Sequence, residues 1–158
     1  MERINIIGAG LAGLSAAITL ARAGKPCALI SSQVSERAQS VMAEGGINAA
    51  LDVMGEHDTT AEHFSDTMKG GVFLADPNAV AGLTEGAPGI VRWLHEIGVP
   101  FQLENGHIIQ RNFGGQKKKR TAYAKSSTGK AIMTALIDET RKYEVSGLIE
   151  RFSHHTAV

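Results

Sequence analysis

The sequence predicts an α/β fold, and three observations carry that expectation. Ile4, Ile6 and Ile7 give a short apolar run that suits a buried strand; it runs straight into Gly8-Ala9-Gly10-Leu11-Ala12-Gly13, and helix-forming residues follow from Leu14 to Ala21. A second short apolar run, Cys27-Ala28-Leu29-Ile30, comes after a Gly24-Lys25-Pro26 break. Near the far end, Val145 to Ile149 reads as a third parallel strand, weakened by Gly147. Strand, glycine turn, helix, strand is the order of a Rossmann-type β-α-β unit.

The glycine turn has a specific physical reading. Gly8 permits the sharp turn, Gly10 lets a pyrophosphate approach the backbone without meeting a Cβ, and Gly13 lets helix and strand pack closely. The helix start then offers unpaired N–H groups and partial positive charge to phosphate. An NAD-type site places Asp or Glu at the end of the second strand, whereas Ser31 and Ser32 stand there. A hydroxyl can bond a ribose without charge assistance, so a plain NAD dehydrogenase is disfavoured.

Composition bounds the rest. At 158 residues and 43% hydrophobic, the chain can bury the core of one domain. Sixteen basic and sixteen acidic residues cancel, which gives no support to a nucleic-acid partner. Cys27 is the only cysteine, so no internal disulfide can form, which fits a reducing, cytoplasmic compartment. Residues 4–21 carry no charge and are long enough to imitate a membrane span, with Ala21-Arg22-Ala23 imitating a cleavage site. Three glycines at dinucleotide spacing, with Asn5, Ser15 and Thr19, favour a soluble reading.

Between the strands the chain makes a helical excursion and a hairpin. Residues 35–50 read as a long loop without a clean element, where Gly45-Gly46 would let a flat ligand lie on the backbone. Thr59 to Glu62 fits a capping box, and Gly70-Gly71 stops that helix. Asp76-Pro77 opens a second helix, and Pro88 opens or kinks a third with Ile90, Val91, Leu94 and Ile97 on one face. Trp93 reads as core. Asn105-Gly106 between short apolar runs predicts a type I′ hairpin. A last helix carries Ile132, Met133, Leu136 and Ile137.

Several polar residues take ordinary readings. Residues 117–120, three lysines and Arg120, read as a solvated loop. Glu62 and Asp66 read as an exposed helix face, and His63 and His95 as satisfied or solvated helix residues. His154-His155 lacks further ligands at metal spacing and reads as tail or strand. Cys27 reads as a buried, inert thiol.

Longer blocks are more specific than the fingerprint. Ala43-Glu44-Gly45-Gly46-Ile47-Asn48-Ala49-Ala50, residues 62–71, Phe73-Leu74-Ala75, Ala87-Pro88, Phe113-Gly114-Gly115, residues 120–124 and Thr128-Gly129 follow one another through nearly the whole chain. In these blocks the sequence resembles the flavoprotein subunit of the succinate dehydrogenase and fumarate reductase family, whose relatives include L-aspartate oxidase.

The resemblance implies a Rossmann-type, glutathione-reductase-like FAD-binding fold. It implies that Gly8, Ala9, Gly10, Ala12 and Gly13 carry the pyrophosphate and that Ser31 and Ser32 face the adenosine ribose. Ser40, Ala43, Glu44, Gly45 and Gly46 would lie along the isoalloxazine, where backbone N–H groups tune a ring that becomes anionic on reduction. Many members attach FAD through a histidine in this loop. Gln39 stands at that position, so non-covalent FAD is expected. Family members are several times longer. The chain is therefore expected to be the N-terminal portion, residues 1–158, of an incomplete FAD-binding domain without its capping domain, prone to self-association. No catalytic residue is nominated within it. For the whole protein the resemblance implies hydride exchange between flavin N5 and a dicarboxylate. A possible iron–sulfur partner would hold it peripherally on the cytoplasmic membrane. The alternatives are a truncated non-catalytic FAD module and an L-aspartate oxidase-type enzyme.

Overall fold

The structure, a computed structural model, describes residues 3–156. In chain order the elements are β1 (Ile4–Ile7), α1 (Leu11–Arg22), β2 (Cys27–Ser31), two 3₁₀ turns (Ser35–Arg37 and Gln39–Met42), β3 (Ile47–Asn48), α2 (Thr60–Gly70), α3 (Pro77–Glu96), β4 (Leu103–Glu104), β5 (His107–Ile108), β6 (Gln110–Arg111), β7 (Thr121–Ala122), α4 (Thr128–Val145) and β8 (Ile149–Ser153). They fall into two compact units: residues up to 43 together with those from 129 onward, and residues 44–128.

The first unit is the expected parallel β-α-β core. Its sheet runs in the order β1-β2-β8, with Cys27 opposite both Ile4 and Ile149. The central strand is buried, with Ala28 and Leu29 wholly enclosed. Against the expectation of a buried first strand, β1 is an edge: Ile4 and Ile7 are 45% and 63% exposed. The third parallel strand begins four residues later than expected. The reason is that α4 runs through Val145 and closes on Gly147, whose N–H donates to the Glu144 carbonyl while Leu148 N–H reaches the Tyr143 carbonyl. Those two bonds form a Schellman ending, which places the extended segment after Gly147. Along α4, Ile132, Met133, Leu136 and Ile137 are all buried as expected.

The uncharged stretch 4–21 divides between β1, a glycine turn and α1. Among the described residues no helix is long and apolar enough to cross a membrane.

In the second unit, Thr59 caps α2 by accepting from the Glu62 N–H at 3.1 Å. Asp76 caps α3 by accepting from the Asn78 N–H at 2.8 Å. Pro88 neither opens nor ends a helix: α3 passes through it for 20 residues. An interior proline costs about 3 kcal/mol. That cost is opposed by the face Val80, Thr84, Ala87, Val91 and Leu94, which recurs at helical spacing on both sides of the proline and is buried. Ile90, expected on that face, is 47% exposed, and Trp93 is half-buried. Asn105 and Gly106 have φ of 50° and 80°, the positive pair a type I′ turn needs between β4 and β5. The loop expected at 35–50 contains the two 3₁₀ turns and β3, which pairs with β7, itself paired to β6.

Candidate functional site

The glycine turn after β1 is tightly specified. The Gly8 N–H donates to the Ile30 carbonyl at 2.7 Å, tying the turn to β2, and Gly8 has φ +109°. A Cβ on Gly13 would lie 1.8 Å from the Gly8 carbonyl oxygen, so only glycine allows this approach of helix to turn. Gly10 is the N-cap of α1 and provides no side-chain cap, and the first turn carries no acidic residue. The first helical bond is Leu14 N–H to the Gly10 carbonyl at 3.0 Å. The N–H groups of Leu11, Ala12 and Gly13 therefore have no helical acceptor and face outward along the dipole. The nearest atom to a Cβ on Gly10 would be Ser40 Oγ at 3.6 Å, which leaves the turn open for a ligand. Such an uncapped, glycine-bounded helix start fits a diphosphate.

A cavity of about 490 Å³ adjoins the turn, between the ends of β1, β2 and β8. Gly8, Ala9, Gly10, Ser31 and Ser32, all nominated from the sequence, line it. Ala12 is exposed on α1 outside that lining. The two serines differ. Ser31 is buried and its hydroxyl donates to the Gln33 carbonyl at 2.7 Å, whereas Ser32 is exposed. The lining also includes polar residues that the sequence does not single out for this site, among them Gln33, Arg37, His155 and Thr156. His155 N–H donates to the Ser31 carbonyl at 3.0 Å, which brings the expected tail into the cavity wall. The later start of the third strand, Ile149–Ser153 beside β2, is what carries this segment to the cavity.

Ser40 and Ala43 lie against the start of α4. The Gly129 N–H donates to the Ala43 carbonyl at 2.7 Å, and a Cβ on Gly129 would stand 2.2 Å from the Ser40 carbonyl oxygen. Cys27 is buried, and burial pushes its thiol pKa up, in keeping with an inert residue.

In the second unit, Glu44 is exposed and the two glycines after it are enclosed differently. A Cβ on Gly45 would meet the Phe113 ring at 3.0 Å. One on Gly46, whose φ is +120°, would meet the Ala122 carbonyl oxygen and Thr121 Cγ2 at 2.5 Å. Arg111 Nη2 donates to the Gly45 carbonyl at 3.2 Å, a partner the sequence did not suggest.

The basic run is corrected most. Arg120 is 2% exposed, not solvated; it donates to both oxygens of Asp58 and, through Nη1, to Asp66. Asp66 is accordingly an ion-pair partner rather than a free helix face. Lys118 and Lys119 pair with Glu62 and Glu56 at 3.7 Å. His63 is buried beside this cluster, and its Nδ1 has no hydrogen-bond partner among the described residues. Burial first, and the Arg120 charge second, lower its pKa.

Fold and cradle together define a dinucleotide-binding α/β domain. A family model described as an FAD binding domain matches residues 4–158, and the chain belongs to that family; its relatives include flavoprotein subunits of succinate dehydrogenases and fumarate reductases. The succinate dehydrogenase flavoprotein subunit of Bacillus subtilis is 43% identical over 150 residues, covering 94% of this chain and 26% of that protein. One subunit of the fumarate reductase (CoM/CoB) of Methanothermobacter marburgensis is 39% identical over 147 residues, covering 92% and 27%. An E. coli quinol fumarate reductase structure superposes with a TM-score of 0.89 at 34% identity, over 96% of this chain and 26% of that one. The chain thus spans about a quarter of the length of the curated relatives it matches.

Proposed function

We propose that this chain is the FAD-binding part of an oxidoreductase that acts on a dicarboxylate of the succinate or fumarate kind. The observation that carries the reading is the turn in which Gly13 must lack a Cβ and the N-terminus of α1 lacks a cap. When bound, FAD supplies the site that accepts or donates hydride. The chain's own residues bind and orient it. Gly8, Ala9 and Gly10 admit the diphosphate, and the N–H groups at Ala12 and Gly13 take its charge. Ser32 offers a hydroxyl to the ribose, because the Ser31 proton is engaged with Gln33. Ser40, Ala43, Glu44, Gly45 and Gly46 lie along the ring. Gln39 replaces the linking histidine, and an amide cannot form that bond, so attachment is non-covalent. The whole protein passes electrons to an iron–sulfur partner and is held peripherally on the cytoplasmic side of a membrane by the proteins it assembles with.

The test is titration with FAD, followed by flavin fluorescence and the visible spectrum. Saturable binding is expected, with the colour left in solution after acid precipitation. Absence of binding overturns the reading, and a yellow pellet overturns non-covalent attachment. A dye-coupled assay of the full-length protein with succinate, fumarate and L-aspartate separates the dicarboxylate reading from an L-aspartate oxidase. Flavin binding with no turnover on any of the three identifies a non-catalytic module.

A further inference from the structure

We propose that Arg111 is a positioning residue that aims and polarises the Gly46 N–H toward the flavin ring. The inference rests on the FAD reading above and deepens it. Arg111 ends β6, where its backbone pairs with Thr121 of β7, so its stem is fixed by the sheet. The guanidinium lies 4.3 Å from the Tyr123 ring centroid and 5.9 Å from that of Phe113. Stacking on aromatic faces holds its plane and leaves the edge free to donate. That edge reaches the Gly45 carbonyl through Nη2 at 3.2 Å.

The consequence follows from peptide geometry. The Gly45 carbonyl and the Gly46 N–H belong to one planar trans peptide and point to opposite sides of it. Gripping the carbonyl therefore aims the N–H away from Arg111. Gly46 backs onto β7 on its other side: a Cβ added there would stand 2.5 Å from the Ala122 carbonyl oxygen and from Thr121 Cγ2. A cationic donor on the carbonyl also polarises the peptide, and hydrogen-bond chains strengthen cooperatively by roughly 10–30% per bond. The Gly46 N–H becomes a stronger donor to a ring that carries negative charge when reduced, and so favours the reduced form.

The experiment loads wild type, Arg111→Met and Arg111→Lys with FAD and measures the two-electron midpoint potential against reference dyes. Arg111→Met is expected to weaken binding of reduced relative to oxidised FAD about tenfold, a fall of about 30 mV. Arg111→Lys keeps the charge but loses the planar fork, and a comparable fall is expected. A folded variant that binds FAD at an unchanged potential overturns the role of Arg111 and leaves the FAD reading intact. Failure of wild type to bind FAD overturns both. If Arg111→Met does not fold, Arg111→Lys decides by the same criterion, and unfolding of both variants assigns Arg111 a structural role and counts against the proposal.

Discussion

Arg120 grips both carboxylate oxygens of Asp58, with Nε and Nη2 at 2.9 and 2.5 Å, and both side chains are at most 3% exposed. Nη1 bonds Asp66 at 2.9 Å, so every nitrogen of the guanidinium has a carboxylate partner. The planar fork matches a carboxylate in a way a lysine ammonium cannot. Removing one partner strands a buried charge, which costs far more than the net worth of the pair.

Asp58→Ala is therefore expected to destabilise the chain by about 3–5 kcal/mol, read from urea unfolding midpoints. Replacing the pair together, Asp58→Leu with Arg120→Met, is expected to recover most of that loss. A single variant within about 1 kcal/mol of wild type would show that the guanidinium reaches water or another partner instead.

His63 gives the chain an acid-side weakness. Its Nδ1 is buried with no hydrogen-bond partner among the described residues, and the charges facing it are Arg120, Asp58 and Asp66. Burial and Arg120 lower its pKa, while the two carboxylates pull weakly the other way. The folded state therefore resists a proton that the unfolded chain accepts near the ordinary value of about 6.5. The unfolded state binds more protons below that value, so stability is lost as pH falls through it and is retained above. Urea midpoints are expected to drop from pH 7 to pH 5 in wild type, and His63→Gln, which cannot charge, is expected to flatten the drop. An equal drop in both proteins would assign the acid sensitivity to the carboxylates.

What the sequence disclosed and what it hid divide by distance along the chain. The type I′ turn at Asn105-Gly106, the caps Thr59 and Asp76 and the turn from Gly8 to Gly13 are local chemistry, fixed within a few residues. Arg120 reads as solvated in the sequence because its partners Asp58 and Asp66 lie 62 and 54 residues away. Next to three lysines it looks like one more solvated charge. Arg111 and Gly45 are 66 residues apart and carry no local sign of each other. The exposed edge of β1 is likewise decided by which strands neighbour it, since an apolar run reads the same at the centre or the edge of a sheet.

Val72 marks a place where a local rule is broken. Helices α1 and α3 close on Gly24 and Gly98, each with positive φ and each followed by an N–H that reaches back five residues. In α2 the same pair of bonds, Val72 N–H to Lys69 and Phe73 N–H to Met68, puts Val72 in that position at φ +52°. A β-branched residue is strained there. Because Val72 is 73% exposed, little packing is lost on removing its side chain. Val72→Gly is expected to stabilise by about 1 kcal/mol, raising Tm by about 2–4 °C. A lower Tm would mean that the exposed valine makes contacts worth more than its strain.

Gly10 and Gly13 sit three residues apart in one turn and are expected to fail in different ways. A methyl on Gly13 collides with the Gly8 carbonyl oxygen at 1.8 Å, a backbone atom that cannot yield without opening the junction of β1 and α1. Gly13→Ala is expected to lose more than about 3 kcal/mol, beyond ordinary overpacking. A methyl on Gly10 has 3.6 Å to Ser40 Oγ and 3.8 Å to Ala38 Cβ, and the backbone there, at φ −89°, suits any residue. Gly10→Ala is expected to melt within a degree or so of wild type. It fills the space through which a diphosphate reaches the helix start, so its FAD affinity is expected to fall about tenfold or more, at least about 1.4 kcal/mol. Thermal melts and FAD titrations of the two variants, run side by side, separate the structural glycine from the ligand-facing one. Wild-type FAD affinity in Gly10→Ala would mean that the diphosphate does not rest on this turn.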